Sequence, residues 1–316
     1  MKQKLASLDI GSYTARMLIA FRESNPYRIL PVSRAREYIS IADYFDEESG
    51  TIKREAINRV AGVVNSFVLH ARQEEVDRIF AVGTGLIRRA INREEFITGI
   101  EEITGIEIIP ISGEQEAYLT SIGAIYSLRI GNEESLAVID LGGGSTEFFI
   151  RRDGKELSYS IPIGAAFLHN KYISSDPPKE HELYKVCAHI KGVLKGHLRT
   201  QDKDNLDIIV GTGGTVTALG ALVHGISMQD ISAERINGRV LQYKEIRDLL
   251  ERLRNMDLEQ KIHILGLDKK RAKVIIAGTI ILMNILDLFC SEDIIVSLSD
   301  LLEGILLKPQ IIQEEI

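Results

Sequence analysis

The stretch Asp140-Leu141-Gly142-Gly143-Gly144-Ser145-Thr146-Glu147 follows a predicted apolar strand, 135–140, and decides how the rest of the chain is interpreted. Three successive glycines add no side chain to packing and cost backbone entropy. They allow backbone N–H groups to approach an anion closely, and Ser145 and Thr146 add hydroxyl donors. The pattern favours a phosphate-binding turn over a tight hairpin, for which one glycine usually suffices.

A related turn occurs near the start of the chain, together with a second repeated string. Asp9-Ile10-Gly11-Ser12 also ends an apolar strand, and Val-Gly-Thr-Gly occurs at 82–85 and again at 210–213. Each copy of that string lies about 70 residues after its aspartate. In both halves, three extended runs precede strands that alternate with helices. We therefore expect a duplicated α/β fold, with two similar domains facing each other across a ligand-binding cleft.

The length of 316 residues is sufficient for two domains with proper cores. The predicted N-terminal domain comprises residues 1–125, and a C-terminal helix at about 300–316 is expected to pack back on it. The predicted C-terminal domain comprises residues 126–299. Within the first domain, Ser112 and Gln115 form a predicted capping box that begins a helix running to about Leu128.

Composition and charge narrow the class of protein. The formal net charge of -7 argues against a dedicated nucleic-acid binder, because such proteins usually present a basic face. Cys187 and Cys290 lie far apart without a Cys/His cluster, as expected for free thiols in a reducing compartment. Asp9 and Arg16 interrupt the apolar N-terminal run, and no stretch approaches the roughly 18 uncharged residues of a membrane span. We expect a cytoplasmic protein without membrane or nucleic-acid partners.

A second glycine-rich turn and several carboxylates accompany the first turn. Residues 211–215, Gly-Thr-Gly-Gly-Thr, stand between an apolar strand and a helix, where backbone donors and the helix dipole favour negative charge. Such a turn is weak evidence alone, but together with Gly142–Gly144 it predicts a phosphate clamp. Asp9, Asp140 and Glu147 lie at strand ends beside these glycines, and such carboxylate oxygens suit Mg²⁺. The alternative for Asp9 is that it only caps its own turn.

Charged residues on three predicted helices have both functional and structural interpretations. Glu114 lies in a first helical turn, where it can interact with the dipole, whereas Glu116 is free to act as a general base or is an ordinary surface glutamate. Arg88 and Arg89 could bind phosphate or belong to a solvated helix start. A basic run is either a solvated surface or a track for a polyanion. That run comprises Lys185, His189, Lys191, Lys195, His197 and Arg199.

Seven short motifs are distributed along most of the chain: 9–13, 87–90, 112–117, 140–147, 162–164, 210–215 and 271–273. Together they resemble the exopolyphosphatase / guanosine pentaphosphate phosphohydrolase (Ppx/GppA) family of the actin-like ATPase superfamily. The resemblance implies two ribonuclease H-like (actin-like ATPase) domains with a cleft between them. The length is similar to that of the short, two-domain members.

The resemblance also implies a reaction, in which terminal phosphate is released hydrolytically from polyphosphate or from guanosine pentaphosphate. It implies that Glu116 orients and deprotonates water, and that Mg²⁺ is bound near Asp140 and Glu147, with Asp9 as a further ligand. The implied phosphate-binding residues are Gly11, Ser12, Arg88, Gly142, Gly143, Gly144, Ser145, Thr212, Gly213, Gly214 and Thr215.

The sequence departs from the family pattern near its end, where Leu302 replaces a usual arginine and Leu298 replaces an aspartate. Residues 83–85 and 39–45 also differ from the usual pattern. Two further functions therefore stay open: a non-catalytic phosphate- or nucleotide-binding regulator, and a kinase of the same superfamily. Apolar residues at 275–288 and 305–307 offer a surface that a homodimer could bury.

Overall fold

A computed structural model of the chain describes residues 2–24, 27–197 and 206–313. The predicted turn at Asn25-Pro26, Arg199 of the basic run, and residues 314–316 of the predicted last helix lie outside the described residues. The chain divides into two compact units: unit 1 comprises Met1–Gly123 and Leu301–Ile316, and unit 2 comprises Ala124–Asp300. None of the helices within the described ranges is long and apolar enough to cross a membrane.

Strands and helices are numbered in chain order. The strands are β1 (Lys2–Ile10), β2 (Thr14–Ser24), β3 (Tyr27–Tyr38), β4 (Phe45–Asp46), β5 (Thr51–Ile52), β6 (Arg78–Gly83), β7 (Ile108–Pro110), β8 (Leu136–Leu141), β9 (Thr146–Arg152), β10 (Lys155–Ile161), β11 (Ile208–Thr212), β12 (Val240–Gln242) and β13 (Asp293–Val296). The helices are α1 (Glu55–Gln73), α2 (Leu86–Arg89), α3 (Arg93–Thr104), α4 (Gly113–Leu128), α5 (Ala165–Tyr172), α6 (Glu180–His197), α7 (Gly214–Val223), α8 (Ala233–Ile236), α9 (Tyr243–Leu253), α10 (Leu258–Leu265), α11 (Lys269–Leu288) and α12 (Leu301–Leu307).

Unit 1 is built on a five-stranded sheet in the order β3-β2-β1-β6-β7. β1, β2 and β3 form an antiparallel meander, and β6 and β7 extend the sheet in parallel. The apolar residues of α1 recur at helical spacing, so that one face of this helix is buried in the core of the unit. Because β1 and β6 are parallel, their carboxyl ends meet at one edge of the sheet, where Asp9 and Thr84 lie.

Unit 2 repeats this arrangement in a six-stranded sheet with the order β10-β9-β8-β11-β13-β12. Its first three strands again form an antiparallel meander, and β11 and β13 extend the sheet in parallel. The first five positions of the two sheets match strand for strand, which confirms the predicted duplication. The additional strand β12 pairs antiparallel with β13 at the far edge.

Two local sequence signals form the structures that they favour, an Asp-Gly hairpin and a capping box at a helix start. Asp153 and Gly154 have positive φ angles of 51° and 71° and connect β9 to β10 in a tight hairpin. At the start of α4, the Gln115 backbone N–H donates to Ser112 Oγ at 3.1 Å, and the Ser112 N–H donates to Gln115 Oε1 at 2.8 Å. The predicted capping box is therefore confirmed, and it sets the first turn of the helix that carries Glu116.

The C-terminal helix α12 packs on the sheet of unit 1. Ser7 Oγ on β1 donates to the Leu302 carbonyl at 2.8 Å, and Arg34 on β3 forms an ion pair with Glu303. Leu302, which stands where the resemblance led us to expect arginine, is only 2 % exposed. This leucine therefore contributes to the hydrophobic packing of the unit.

Gly304 permits the close contact between α12 and α4. A Cβ at this position would overlap the carbonyl oxygen of Leu119, which is backbone and cannot rotate away. We expect Gly304→Ala to lower the free energy of unfolding by about 3 kcal/mol, because overpacking forces the two helices apart. Urea denaturation followed by circular dichroism measures the change. The matched control is Gly62→Ala in α1, where a Cβ meets no atom within 4 Å; equal stability losses in both variants would contradict the close-contact explanation.

Candidate active site

In unit 1, the turn after β1 holds the side chain of Asp9. The Gly11 N–H donates to the Thr14 carbonyl at 2.9 Å, closing the turn into β2. Asp9 Oδ2 accepts hydrogen bonds from Arg16 Nε at 3.0 Å and Nη2 at 2.8 Å, and Oδ1 accepts one from Thr84 Oγ1 at 3.0 Å. The carboxylate of Asp9 is therefore buried, ion-paired and hydrogen-bonded on both oxygens.

Ser12, which the resemblance assigned to phosphate binding, has a structural contact. Its Oγ accepts the Leu86 N–H at 2.9 Å and so caps the start of the short helix α2. Gly85 precedes that helix with a φ of 59°, and a Cβ there would overlap Ser12 Oγ. Ser12 and Gly85 thus fix the position of α2, which carries Arg88.

Glu116 lies near the start of α4 and is only 8 % exposed. Arg88 Nη1 donates to Glu116 Oε2 at 2.6 Å, so the predicted phosphate ligand Arg88 contacts the predicted base. Burial raises the pKa of the Glu116 carboxyl, the Arg88 guanidinium lowers it, and the nearby Asp9 carboxylate raises it again; the net direction is upward. Glu114, in contrast, is exposed. Residues two apart on a helix point to different faces, and these two glutamates do so.

Thr120 lies one helical turn beyond Glu116, on the same face of α4. It is 1 % exposed, and within the described part of the chain its hydroxyl has no hydrogen-bond partner. A buried hydroxyl in this state can bind a water molecule beside Glu116. Thr120 was not predicted as a functional residue, although its spacing of four residues from Glu116 was available as a signal.

In unit 2, the triple-glycine turn follows β8 as predicted. The Gly142 N–H donates to the Ser145 carbonyl at 3.0 Å, the same bond that Gly11 makes in unit 1. Among the residues that the structure describes, the N–H groups of Gly143 and Gly144 meet no acceptor. These two donors are available to an anion, which is the property that the glycine run predicts.

The first residues of helix α5 hold the triple-glycine turn through backbone hydrogen bonds. The Gly142 carbonyl accepts the Ala165 N–H at 3.0 Å, and the Gly143 carbonyl accepts the N–H groups of Ala166 and Phe167 at 2.9 Å. At Gly164, just before this helix, a Cβ would overlap the backbone of Gly143 and Gly144. The turn and the helix start can approach each other this closely only because position 164 is glycine.

The second glycine-rich turn lies directly beside the first within unit 2. Gly213 has a φ of 93°, and a Cβ there would lie 2.5 Å from the Leu141 carbonyl oxygen and 2.8 Å from Asp140 Oδ1. The buried hydroxyl of Thr212 has no partner among the described residues. Gly214 begins α7, whereas the Thr215 side chain packs against Gly278 of α11. The structure therefore brings Asp140, the triple-glycine turn and the start of α7 together.

The turn after β1 and the turn after β8 differ in the charge of the residue that faces their aspartate. In unit 1, the residue paired with Asp9 across the antiparallel strands is Arg16, whereas in unit 2 the residue paired with Asp140 is Glu147. Asp140 and Glu147 are 7 % and 3 % exposed, and like charges directly opposite each other are unfavourable. A buried pair of carboxylates fits an oxygen-binding divalent cation, which would offset this repulsion. Within the described ranges, no group of three or more His, Cys, Asp or Glu side chains is arranged to hold a metal.

His169 lies in helix α5 and is 8 % exposed. Its Nδ1 has no hydrogen-bond partner among the described residues. Burial, with Lys273 and Lys261 nearby, lowers the pKa of His169 from 6.5 to about 4, and Asp176 and Glu182 oppose this shift only partly. His169 is therefore neutral in the folded unit at neutral pH.

This lowered pKa predicts that acid destabilises unit 2. The unfolded chain binds the His169 proton more readily than the folded chain, so the stabilising contribution is complete above about pH 6.5 and is lost as pH falls through 4. The loss amounts to about 3 kcal/mol. Between pH 7 and pH 4, we expect the free energy of unfolding of the parent to fall by about 3 kcal/mol more than that of His169→Gln. Urea denaturation at each pH measures both values. His181→Gln, in the exposed first turn of α6, is the control; parallel pH profiles for parent and His169→Gln would contradict the prediction.

Three other residues at these sites were not predicted to have a functional role. They are Arg16 and Thr84, which hold Asp9, and Gly164, which holds the triple-glycine turn. Arg16 could have been found from the hairpin register, because a turn at Gly11 places it opposite Asp9. The contacts of Thr84 and Gly164 depend on packing between separate elements, so no local signal identified them.

Comparisons with known proteins agree with this geometry. The model of a family described as the Ppx/GppA phosphatase family matches residues 20–310. A bifunctional 3-dehydroquinate synthase/phosphatase of Fusobacterium nucleatum is 33 % identical over 96 % of this chain, which spans only 46 % of that relative. Exopolyphosphatase 2 of Mycobacterium tuberculosis is 27 % identical, with 96 % of this chain and 98 % of the relative covered.

The fold is also similar to that of a solved structure. The crystal structure of the Aquifex aeolicus member of the Ppx/GppA protein family matches with a TM-score of 0.82 and 29 % identity, and all of both chains is covered. The predicted fold class, an α/β protein of two actin-like domains, is confirmed by this match. The family model matches most of the chain, and the fold agrees with that of a solved member of the family. Because the glycine-rich turns also agree with this match, the chain belongs to the Ppx/GppA phosphatase family.

Proposed function

We propose that this chain is a phosphohydrolase that releases terminal orthophosphate from inorganic polyphosphate, from guanosine pentaphosphate, or from both. The relative named Exopolyphosphatase 2 supports the polyphosphate part of this proposal. The observation that carries it is the buried Glu116 carboxylate, held by Arg88 at 2.6 Å and given a raised pKa. A carboxylate with a raised pKa is a stronger proton acceptor for a water molecule.

In the proposed reaction, a water oxygen attacks the terminal phosphorus and the bridging P–O bond breaks in line with it. Glu116 accepts the proton of that water, and Arg88 keeps its carboxylate in position. Unit 2 by itself offers phosphate oxygens the N–H groups of Gly143 and Gly144, and the N-terminus of α7 adds favourable electrostatics there. Positioning and charge stabilisation of this kind supply most of the acceleration in phosphoryl transfer.

Asp140 and Glu147 are the side chains that we propose would hold Mg²⁺. When bound, the metal would neutralise charge on the phosphate oxygens. Asp9 was predicted as a further ligand, but its oxygens accept hydrogen bonds from Arg16 and Thr84. In unit 2, Asp140 and Glu147 place two buried carboxylates opposite each other, and Glu147 Oε1 also accepts a hydrogen bond from Ser160 Oγ at 2.8 Å.

Replacement of Glu147 by glutamine tests the metal assignment. We expect Glu147→Gln to raise the Mg²⁺ concentration required for half-maximal phosphate release at least about tenfold, because one anionic ligand is lost. A magnesium titration of phosphate release measures this shift. Glu156→Gln on the exposed strand β10 is the control, and identical titrations for both variants would remove Glu147 from the metal site.

One side-by-side assay tests the proposed function. The purified chain is incubated with polyphosphate, guanosine pentaphosphate or ATP, with and without Mg²⁺, and released phosphate is measured. We expect Mg²⁺-dependent release from polyphosphate or guanosine pentaphosphate that exceeds release from ATP. Tight binding of these substrates without any turnover would favour a regulator, and transfer of phosphate from ATP to an added acceptor would favour a kinase.

A further inference from the structure

A cavity of about 220 Å³ opens on the sheet of unit 1 near the start of β1. Its walls include Gln3, Arg22, Arg78 and Phe80, and Gln310 closes one side. Gln3 lies six residues before Asp9 on β1, which corresponds to about 20 Å along an extended strand. The cavity is therefore separate from the site that contains Asp9 and Glu116.

The strand register explains why two arginines reach this cavity. Arg22 on β2 is paired with Gln3, and Arg78 on β6 is paired with Leu5. Gln3 and Leu5 are two residues apart on β1, so they share one face of the sheet. The two arginines approach that face from opposite sides of β1, about 12 Å apart at their Cα atoms, and their long side chains can converge on one ligand.

Neither arginine is paired with a carboxylate among the residues that the structure describes. Arg22 donates only to neutral acceptors, Gln3 Oε1 at 3.0 Å and the Leu306 carbonyl at 3.4 Å. The Arg78 guanidinium lies 4.6 Å from the centre of the Phe80 ring, which leaves its N–H groups available. In contrast, Lys2 and Lys4, on the other face of β1, form ion pairs with Glu23 and Glu74.

We propose that this cavity binds a small anion through a phosphate group, supplied by free phosphate, pyrophosphate or a mononucleotide. Guanidinium groups match phosphate oxygens with paired N–H donors, and two of them can neutralise a dianion. The stack of Arg78 on Phe80 orients one guanidinium in advance, which reduces the entropy lost on binding. The cavity volume is sufficient for one or two phosphate groups. This inference does not depend on the proposed hydrolysis.

A fluorescent reporter can distinguish this cavity from any other phosphate site. The chain contains no tryptophan, so Phe80→Trp places a single one in the cavity wall. We expect the emission of the full chain to change saturably with pyrophosphate, with a Kd of about 1 mM or lower. Orthophosphate and AMP are titrated separately, and the ligand that saturates at the lowest concentration identifies the source of the phosphate group.

Charge-matched variants complete the test. In the reporter chain, Arg22→Gln with Arg78→Gln should raise the Kd at least about tenfold. Arg28→Gln with Arg72→Gln, at two exposed positions, removes the same charge and should leave the Kd within about twofold. If Phe80→Trp impairs folding, calorimetric titration of the same arginine variants replaces the fluorescence measurement. Absence of saturation up to about 10 mM, or an unchanged Kd after loss of Arg22 and Arg78, would overturn the proposal.

Discussion

Glu116→Gln is expected to reduce phosphate release by about 10²–10⁴-fold while substrate binding stays within about threefold. Glutamine has the same size and can still contact Arg88, but its amide cannot accept a proton from water. Phosphate release with polyphosphate and guanosine pentaphosphate measures the rate, and calorimetric titration measures binding. The loss should appear in kcat, because the interaction with the water proton strengthens only as the reaction proceeds.

The control for this experiment is Glu114→Gln, the same chemical change two residues away on the exposed face of α4. It should keep nearly the full rate. The pH dependence adds an independent check, because Glu116 must be ionised to act as a base and its pKa is raised. Activity should therefore decline, as pH falls, at a higher pH than for an ordinary glutamate. Equal rates in the parent and in Glu116→Gln would remove Glu116 from the mechanism.

Gly164→Ala is expected to weaken phosphate binding by about 10²-fold. The added Cβ would overlap the backbone of Gly143 and Gly144, so the triple-glycine turn must move away from α5. A displacement of about 1 Å in groups that position a substrate is sufficient for a loss of this size. Calorimetric titration with pyrophosphate measures the affinity in chains that also carry Arg22→Gln and Arg78→Gln, which removes binding in the cavity of unit 1, and circular dichroism confirms that the chain is still folded.

Gly192→Ala provides the matched control for this prediction. Gly192 lies in α6 of the same unit, and a Cβ there meets no atom within 4 Å. We expect unchanged affinity and equal or slightly higher stability, because alanine favours a helix. If Gly164→Ala binds pyrophosphate as tightly as Gly192→Ala does, the turn at Gly143 and Gly144 is not the binding element.

Several features of the site could be predicted because their signals are local. The capping box at Ser112 and Gln115 determines where α4 begins, and this in turn determines that Glu116 and Glu114 lie on different faces. The three glycines after Asp140 indicate free backbone donors, since a run of this kind has no packing role. Mg²⁺, a homodimer, a cytoplasmic location and a cleft between two domains stay predictions.

Other features depend on residues that are distant along the chain. The prediction that Arg88 binds phosphate stays a prediction, and its ion pair with Glu116 joins residues that are 28 positions apart. The contact of Gly213 with Asp140 and that of Gly164 with Gly143 likewise join separate elements. No periodicity or spacing predicts such contacts, because they depend on how helices pack on a finished sheet.

The duplicated α/β architecture and the positions of the glycine-rich turns could be predicted from the order of the amino acids, since these follow from strand patterns and backbone conformational freedom. Which charges meet could be seen only in the folded chain. Asp9 is neutralised by Arg16, whereas Asp140 faces Glu147, although both aspartates end equivalent strands. The physical reason is that burial and cross-strand pairing set the energy of a charge, and both arise only when the sheet has formed.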